Sequence, residues 1–171
     1  AEGATSSFMD TRFALLNPGT IDTTATLSFQ PASGAPIFVD LAVPAMRRVT
    51  LDPKTVPGLT TAEFATKIES AQPLIVDRTM SWDSSGYGSH AETAVAAPAT
   101  TWYLAEGATL GGFNLFYLLQ NASPNDAQVR IRFLLPAAPP LERTYTVPAR
   151  RRLNVIVDQV PGLAATDVSA E

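Results

Sequence analysis

The chain has 171 residues, no cysteine, one histidine and a formal net charge of −4. The acidic balance argues against a nucleic-acid partner, which asks for a basic face. The missing cysteines exclude a disulfide framework and thiolate metal sites, and no apolar run approaches the roughly 18 residues of a membrane-spanning helix.

Before any local motif, the chain repeats itself. It opens Ala1-Glu2-Gly3-Ala4-Thr5, and the same five residues return as Ala105 to Thr109. Slid by 104 positions, residues 1–67 lie over residues 105–171 without a gap, and 19 of the 67 pairs are identical. The matches are grouped. Val43-Pro44-Ala45 falls on Val147-Pro148-Ala149, Arg47-Arg48 on Arg151-Arg152, and Val56-Pro57-Gly58-Leu59 on Val160-Pro161-Gly162-Leu163. A long internal repeat outranks short motifs as a guide to architecture. Residues 1–104 read as one complete unit and residues 105–171 as the first strands of a second copy. The broken ends read as an excised or mature fragment of a longer protein.

In chain order, Met9, Thr11, Phe13 and Leu15 alternate with polar neighbours, and the copy offers Phe113, Leu115, Tyr117 and Leu119. This period of two predicts a half-buried strand. Asn17-Pro18-Gly19, like Asn121 to Asp126, has turn composition. A second strand carries Ala25, Leu27 and Phe29, or Val129, Ile131 and Phe133. Pro31 to Pro36 and Pro136 to Pro140 are rigid loops that end it. A third strand holds Val39, Leu41 and Val43, or Arg143, Tyr145 and Val147. A fourth runs Arg48 to Leu51, or Arg152 to Val157. Residues 60–104 occur once: Glu63 to Ser70 is open between short helix and strand, with strand preferred. Leu74 to Trp82 is a strand, 83–89 a loop, and His90 to Ala96 a weak strand. Short strands at regular spacing with Gly/Pro turns predict an all-β protein, an antiparallel β-sandwich with repeat units of about 104 residues. In the second copy nothing obvious covers Phe113, Tyr117, Ile131, Phe133, Tyr145 and Val155. They must pack on something else or stay wet, and the hypothesis is that one chain completes another by strand donation or face-to-face packing, which would give a polymer.

The Trp102 to Thr109 start, Asn17-Pro18, Val43 to Arg48, and Pro73 to Trp82 followed by His90 together resemble a tandem β-repeat family of secreted bacterial surface proteins. Its function is unknown. Two positions depart from its pattern: Asp77 stands where glutamate is usual, and Ala122 replaces the turn proline. The resemblance implies an extracellular or cell-surface setting and a structural or adhesive role. It implies no catalytic residues.

Candidate chemistry is sparse. Glu2 with Arg47 and Arg48, and Glu106 with Arg151 and Arg152, form a structural repeat motif that suits a carboxylate–guanidinium pair closing each unit. Asp77 and Arg78 are neighbours on a strand, so they face opposite sides and cannot pair with each other; one of them is expected to find a partner in the neighbouring strand. His90 near Asp83, Ser84, Ser85 and Ser89 invites a triad, but no nucleophile-elbow motif accompanies it. One histidine with scattered carboxylates lacks metal-ligand spacing, so no metal or cofactor is expected. Trp82, Tyr87, Trp102 and Tyr103 form a possible glycan platform, against the commoner reading of strand aromatics as core. Asn121-Ala122-Ser123 is a glycosylation sequon. These features point to a non-enzymatic extracellular building block of a stalk, adhesin or filament, partnered by neighbouring repeats or other copies of itself. The alternative is a carbohydrate- or cell-wall-binding module.

Overall fold

The structure, a computed structural model, describes residues 2–83 and 88–171. It is all-β with antiparallel pairing throughout the described strands. It divides into two compact units, Ala1–Ala96 and Ala97–Glu171.

The first unit is a sandwich of two four-stranded sheets. One sheet contains β1 (Glu2–Thr5), β3 (Thr23–Pro31), β4 (Ile37–Val43) and β6 (Ala62–Ser70), in the order β1-β6-β3-β4. The other contains β2 (Met9–Asn17), β5 (Arg47–Leu51), β7 (Ile75–Trp82) and β8 (Gly88–Thr93), in the order β5-β2-β7-β8. The ambiguous run at 63–70 is a strand because β1 and β3 flank it and satisfy its backbone on both sides. Alternation in β2 buries Thr11, Phe13, Leu15 and Asn17 and leaves Arg12 and Leu16 exposed. Phe13 and Leu15 meet Ala25, Leu27 and Phe29 of β3 across the sandwich, with Phe29 edge-on to Phe13 and Phe64 at 6.0 and 5.1 Å. Gly3 lies opposite Phe64 in the β1–β6 ladder. A Cβ there would stand 2.1 Å from the Phe64 ring, so the ring occupies the space a side chain would need.

The second unit has β10 (Ala127–Leu134) between β11 (Leu141–Val147) and β13 (Ser169–Ala170), and β9 (Phe116–Asn121) paired with β12 (Arg151–Ile156). Two expectations are corrected here. First, Tyr117, Ile131, Phe133 and Val155 are buried within the unit, in one cluster with Val157, Leu163, Val168 and Ala170. The last residues return beside β10, and Leu104 and Ala108 bridge to Ala170 and Asp167. That closes the core which seemed to lack a cover. Second, Phe113 is 68% exposed and precedes β9, because Gly111 and Gly112 take positive φ and turn the chain where Ser7 and Phe8 stand in the first unit. Pairing nevertheless keeps step: Phe29↔Thr66 and Gln30↔Ala65 correspond to Phe133↔Ala170 and Leu134↔Ser169.

The recurring residues concentrate where the chain crosses between sheets. Asn17 ends β2, and its Nδ2 donates to Ile21 O at 2.8 Å and Val43 O at 3.1 Å, while Oδ1 accepts from Gly19 N at 3.0 Å. Asp22 Oδ1 accepts from Ala45 N at 2.8 Å, and Met46 N donates to Gly19 O at 3.0 Å. Asn121 donates to Asn125 O and Val147 O at 2.8 and 3.0 Å and accepts from Ser123 N. Asp126 accepts from Ala149 N, and Arg150 N donates to Ser123 O. Met46 and Arg150 share a left-handed φ of 53°. One asparagine therefore ties the β2–β3 crossing to the β4–β5 crossing. A glycan on Asn121 Nδ2 would replace one of the two hydrogens that make these bonds, on a side chain that is 7% exposed, so the sequon is incompatible with this fold.

Replacing Asn121 with alanine orphans buried carbonyls and the Ser123 amide. The expected loss is about 2–4 kcal/mol from the second unit, read as a lower urea midpoint. Amide hydrogen exchange should accelerate in β9 to β13, and Asn17→Ala should do the same in the first unit.

Candidate functional site

A group of charged side chains lies at the β7–β8 edge of the first unit. Alternation along β7 sends Asp77 outward and Arg78 inward beside Val76 and Met80. The Thr93 hydroxyl donates to Asp77 at 2.7 Å. Arg78 is 1% exposed, and its Nη2 donates to Glu92 Oε2 at 2.5 Å. Both residues thus find partners on the adjacent strand, where only one was expected to. Arg78 Nη1 stands 3.2 Å from both ring nitrogens of His90, facing the ring between them. Arg78 Nε is buried without a hydrogen-bond partner among the described residues.

His90 collects the remaining neighbours. Its ring lies 5.8 Å from Trp82, and Nε2 is 4.0 Å from Glu2 Oε2. Trp82 covers Gly88, its ladder partner, so closely that a Cβ there would fall 2.1 Å from the indole. Arg78 with Glu92, and His90 with Glu2, form a charge cluster beside the Trp82 ring. A triad imidazole is oriented by a carboxylate hydrogen bond; His90 instead faces a guanidinium. Ser89 and His90 point to opposite faces of β8, and Ser84 and Ser85 lie outside the described residues. No group of three or more histidine or carboxylate side chains that could hold a metal ion occurs among the described residues.

The repeat-motif residues are not brought together as a pair. Glu2 lies on β1, with His90 as its ionisable neighbour, while Arg47 and Arg48 are exposed on β5, at the other edge of the β5-β2-β7-β8 sheet from His90. Sheet order separates them. In the second unit Glu106 is exposed, Arg151 is half-buried, and buried Arg152 donates through Nε to Asn154 Oδ1 at 2.6 Å. Of the aromatic platform, Trp82 is half-buried in the first unit, whereas Trp102 and Tyr103 in the second are 50% and 76% exposed. Tyr87 lies outside the described residues.

Two features of the second unit escaped the sequence reading. An open groove of about 450 Å³ runs along Glu106, Gly107, Leu134, Pro136 and Asp167, with two carboxylates and no basic side chain in its lining. Tyr117 is 6% exposed, and its hydroxyl is buried without a hydrogen-bond partner among the described residues. Burial pushes its phenol pKa above the ordinary value. Burial also raises Tyr145, against a lowering by the Arg143 guanidinium. The tyrosine at 117 was visible as a core position, but its orphaned hydroxyl is a property of packing.

No protein-family model matches the chain, and no curated protein and no solved structure matches it.

The Tyr117 phenol ionises at higher pH folded than unfolded. Its contribution is therefore whole below the unfolded value of 10.0 and is lost as pH rises through the folded value. Tyr117→Phe should flatten the fall of melting temperature as the pH rises above 10.0. At neutral pH it should add about 1 kcal/mol by deleting an unpaired buried hydroxyl. Thermal melts at each pH test both.

Proposed function

We propose that the chain is a non-enzymatic structural module, a repeat building block of an extracellular bacterial stalk, adhesin or filament, with neighbouring repeats as its partners. One observation carries this reading: identical residues 104 positions apart serve the same architectural bonds. Asn17 and Asn121 tie the crossings alike. Thr5 and Thr109 donate alike to Leu59 O and Leu163 O, both at 2.5 Å, and accept alike from the amides of Ala62 and Thr166. The shared Thr, Asn, Asp, Val-Pro-Ala and Val-Pro-Gly-Leu positions are those that hold turns and cores. The expected likeness to a secreted surface-repeat family agrees with this distribution, since a repeated unit needs its fold kept more than any single site.

The second reading, a carbohydrate- or cell-wall-binding module, is favoured by exposed Trp102 and Tyr103. Both rings present area to solvent, and flat aromatic surface suits sugar rings.

A titration of tryptophan fluorescence with a panel of soluble glycans separates the two. A structural module leaves the emission of the full chain unchanged. A saturable quench that Trp102→Ala abolishes would replace the structural reading with the binding one.

A further inference from the structure

β9 has one strand neighbour among the described strands, β12. Val157 N donates to Leu115 O at 2.9 Å, so the odd-numbered residues of this segment turn their backbone groups toward β12. In an antiparallel ladder successive residues face alternate sides, which turns Phe116 and Leu118 toward the other edge. The counterpart strand of the first unit, β2, is paired on both sides: β5 on one edge and β7 on the other, with Phe13 opposite Arg78 and Leu15 opposite Val76. The residue 104 positions after Phe13 is Tyr117.

Two of the buried polar atoms without a hydrogen-bond partner among the described residues complement each other. Among the described residues, Arg78 Nε is a donor without an acceptor and the Tyr117 hydroxyl an oxygen without a hydrogen-bond partner. A strand like β7, laid on β9 in the register that β7 holds on β2, would set its arginine directly opposite Tyr117. A hydroxyl at this ladder position, where the first unit has Phe13, supplies an acceptor that β2 lacks. β7 itself is held between β2 and β8, so the incoming strand comes from elsewhere.

We propose that the edge of β9 is an acceptor for a strand of β7 chemistry supplied from outside residues 1–171, with aliphatic, arginine and methionine side chains on its inward face and the arginine bonded to the Tyr117 hydroxyl. This deepens the structural-module reading, on which it rests, by naming what the second unit takes as partner.

The test uses the full chain and a fluorescently labelled synthetic peptide of residues 74–83. Anisotropy should show saturable one-to-one binding, absent for a scrambled peptide. Hydrogen exchange should slow at the amides of Phe116 and Leu118. Tyr117→Phe, which copies the first unit's residue and keeps the fold, should weaken binding about tenfold. A peptide with Arg78→Met should do the same, and combining the two should cost no more than either alone, because both delete one bond. No saturable binding, equal binding of the scrambled peptide, additive losses, or protection confined to β2 and β8 would each overturn the proposal. Dimerisation of the chain alone on concentration, with loss of β7 protection, would replace the outside strand by a swapped second copy. A glycan response in the fluorescence titration, by contrast, removes the structural-module reading without touching the peptide result.

Discussion

The sandwich depends on one buried side-chain amide per unit. A chain that passes between two sheets must break its ladder at each crossing, and the freed backbone groups are then buried without strand partners. Asn17 and Asn121 answer this with both ends of one amide: Nδ2 donates to carbonyls of two separate connections, and Oδ1 accepts from a third backbone group. Neither aspartate nor leucine could stand there. Aspartate has the shape but no donor, and leucine has neither function. Because the amide joins residues 26 positions apart in sequence, it also sets how the crossings lie against each other, and so which faces of β2 and β3 meet.

Around this shared frame the two units differ on their outer faces. In the first, Arg12 pairs with Asp52, and Lys54 with Asp10 at 2.7 Å. In the second, Phe116 and Ile156 stand at the positions of Arg12 and Asp52, directly opposite each other in the ladder, 48% and 36% exposed. An exposed ion pair contributes little stability, about 0–1 kcal/mol, so this exchange is not explained by fold stability. Its consequence is a change of surface chemistry: wet and charged in one unit, apolar along β9 in the other. Apolar side chains on an unpaired edge are what soluble sheets usually avoid, and here they lie on the same strand as Tyr117, whose hydroxyl has no hydrogen-bond partner among the described residues.

Much of the architecture was legible in the sequence because period-two alternation and self-similarity report directly on burial and register. Phe13, Leu15, Leu27 and Phe29 sit in the core as their spacing requires, and Asp77 and Arg78 part to opposite faces. The turn residues were legible as recurring, yet the bonds they make were not, since Asn17 and Val43 are related only through the crossing. Three readings failed for stated reasons. The Glu2–Arg47/Arg48 pair failed because strand order, invisible in a single sequence, places them apart. The uncovered core failed because a two-residue strand, Ser169–Ala170, and isolated bridges at Leu104 and Ala108 are too short to leave a periodic signal. Phe113 failed because Gly111-Gly112 turns the chain just before it, and glycine at positive φ overrides the apolar pattern on either side.

The distribution of recurrence argues further. Residues that repeat and are engaged, such as Thr5, Asn17, Asp22 and Leu59, are accounted for by bonds inside one unit. Arg47 and Arg48 repeat as well, but the two are exposed and have no ion pair among the described residues. Their counterparts behave differently: Arg152 is buried and bonded to Asn154, whereas Arg48 is open to solvent beside Thr50, which occupies the place of Asn154. The same arginine is thus buried in one unit and exposed in the other, with a different residue two positions along the strand. Identity along a repeat therefore marks positions of equal backbone duty, while the neighbours decide which surface each unit shows.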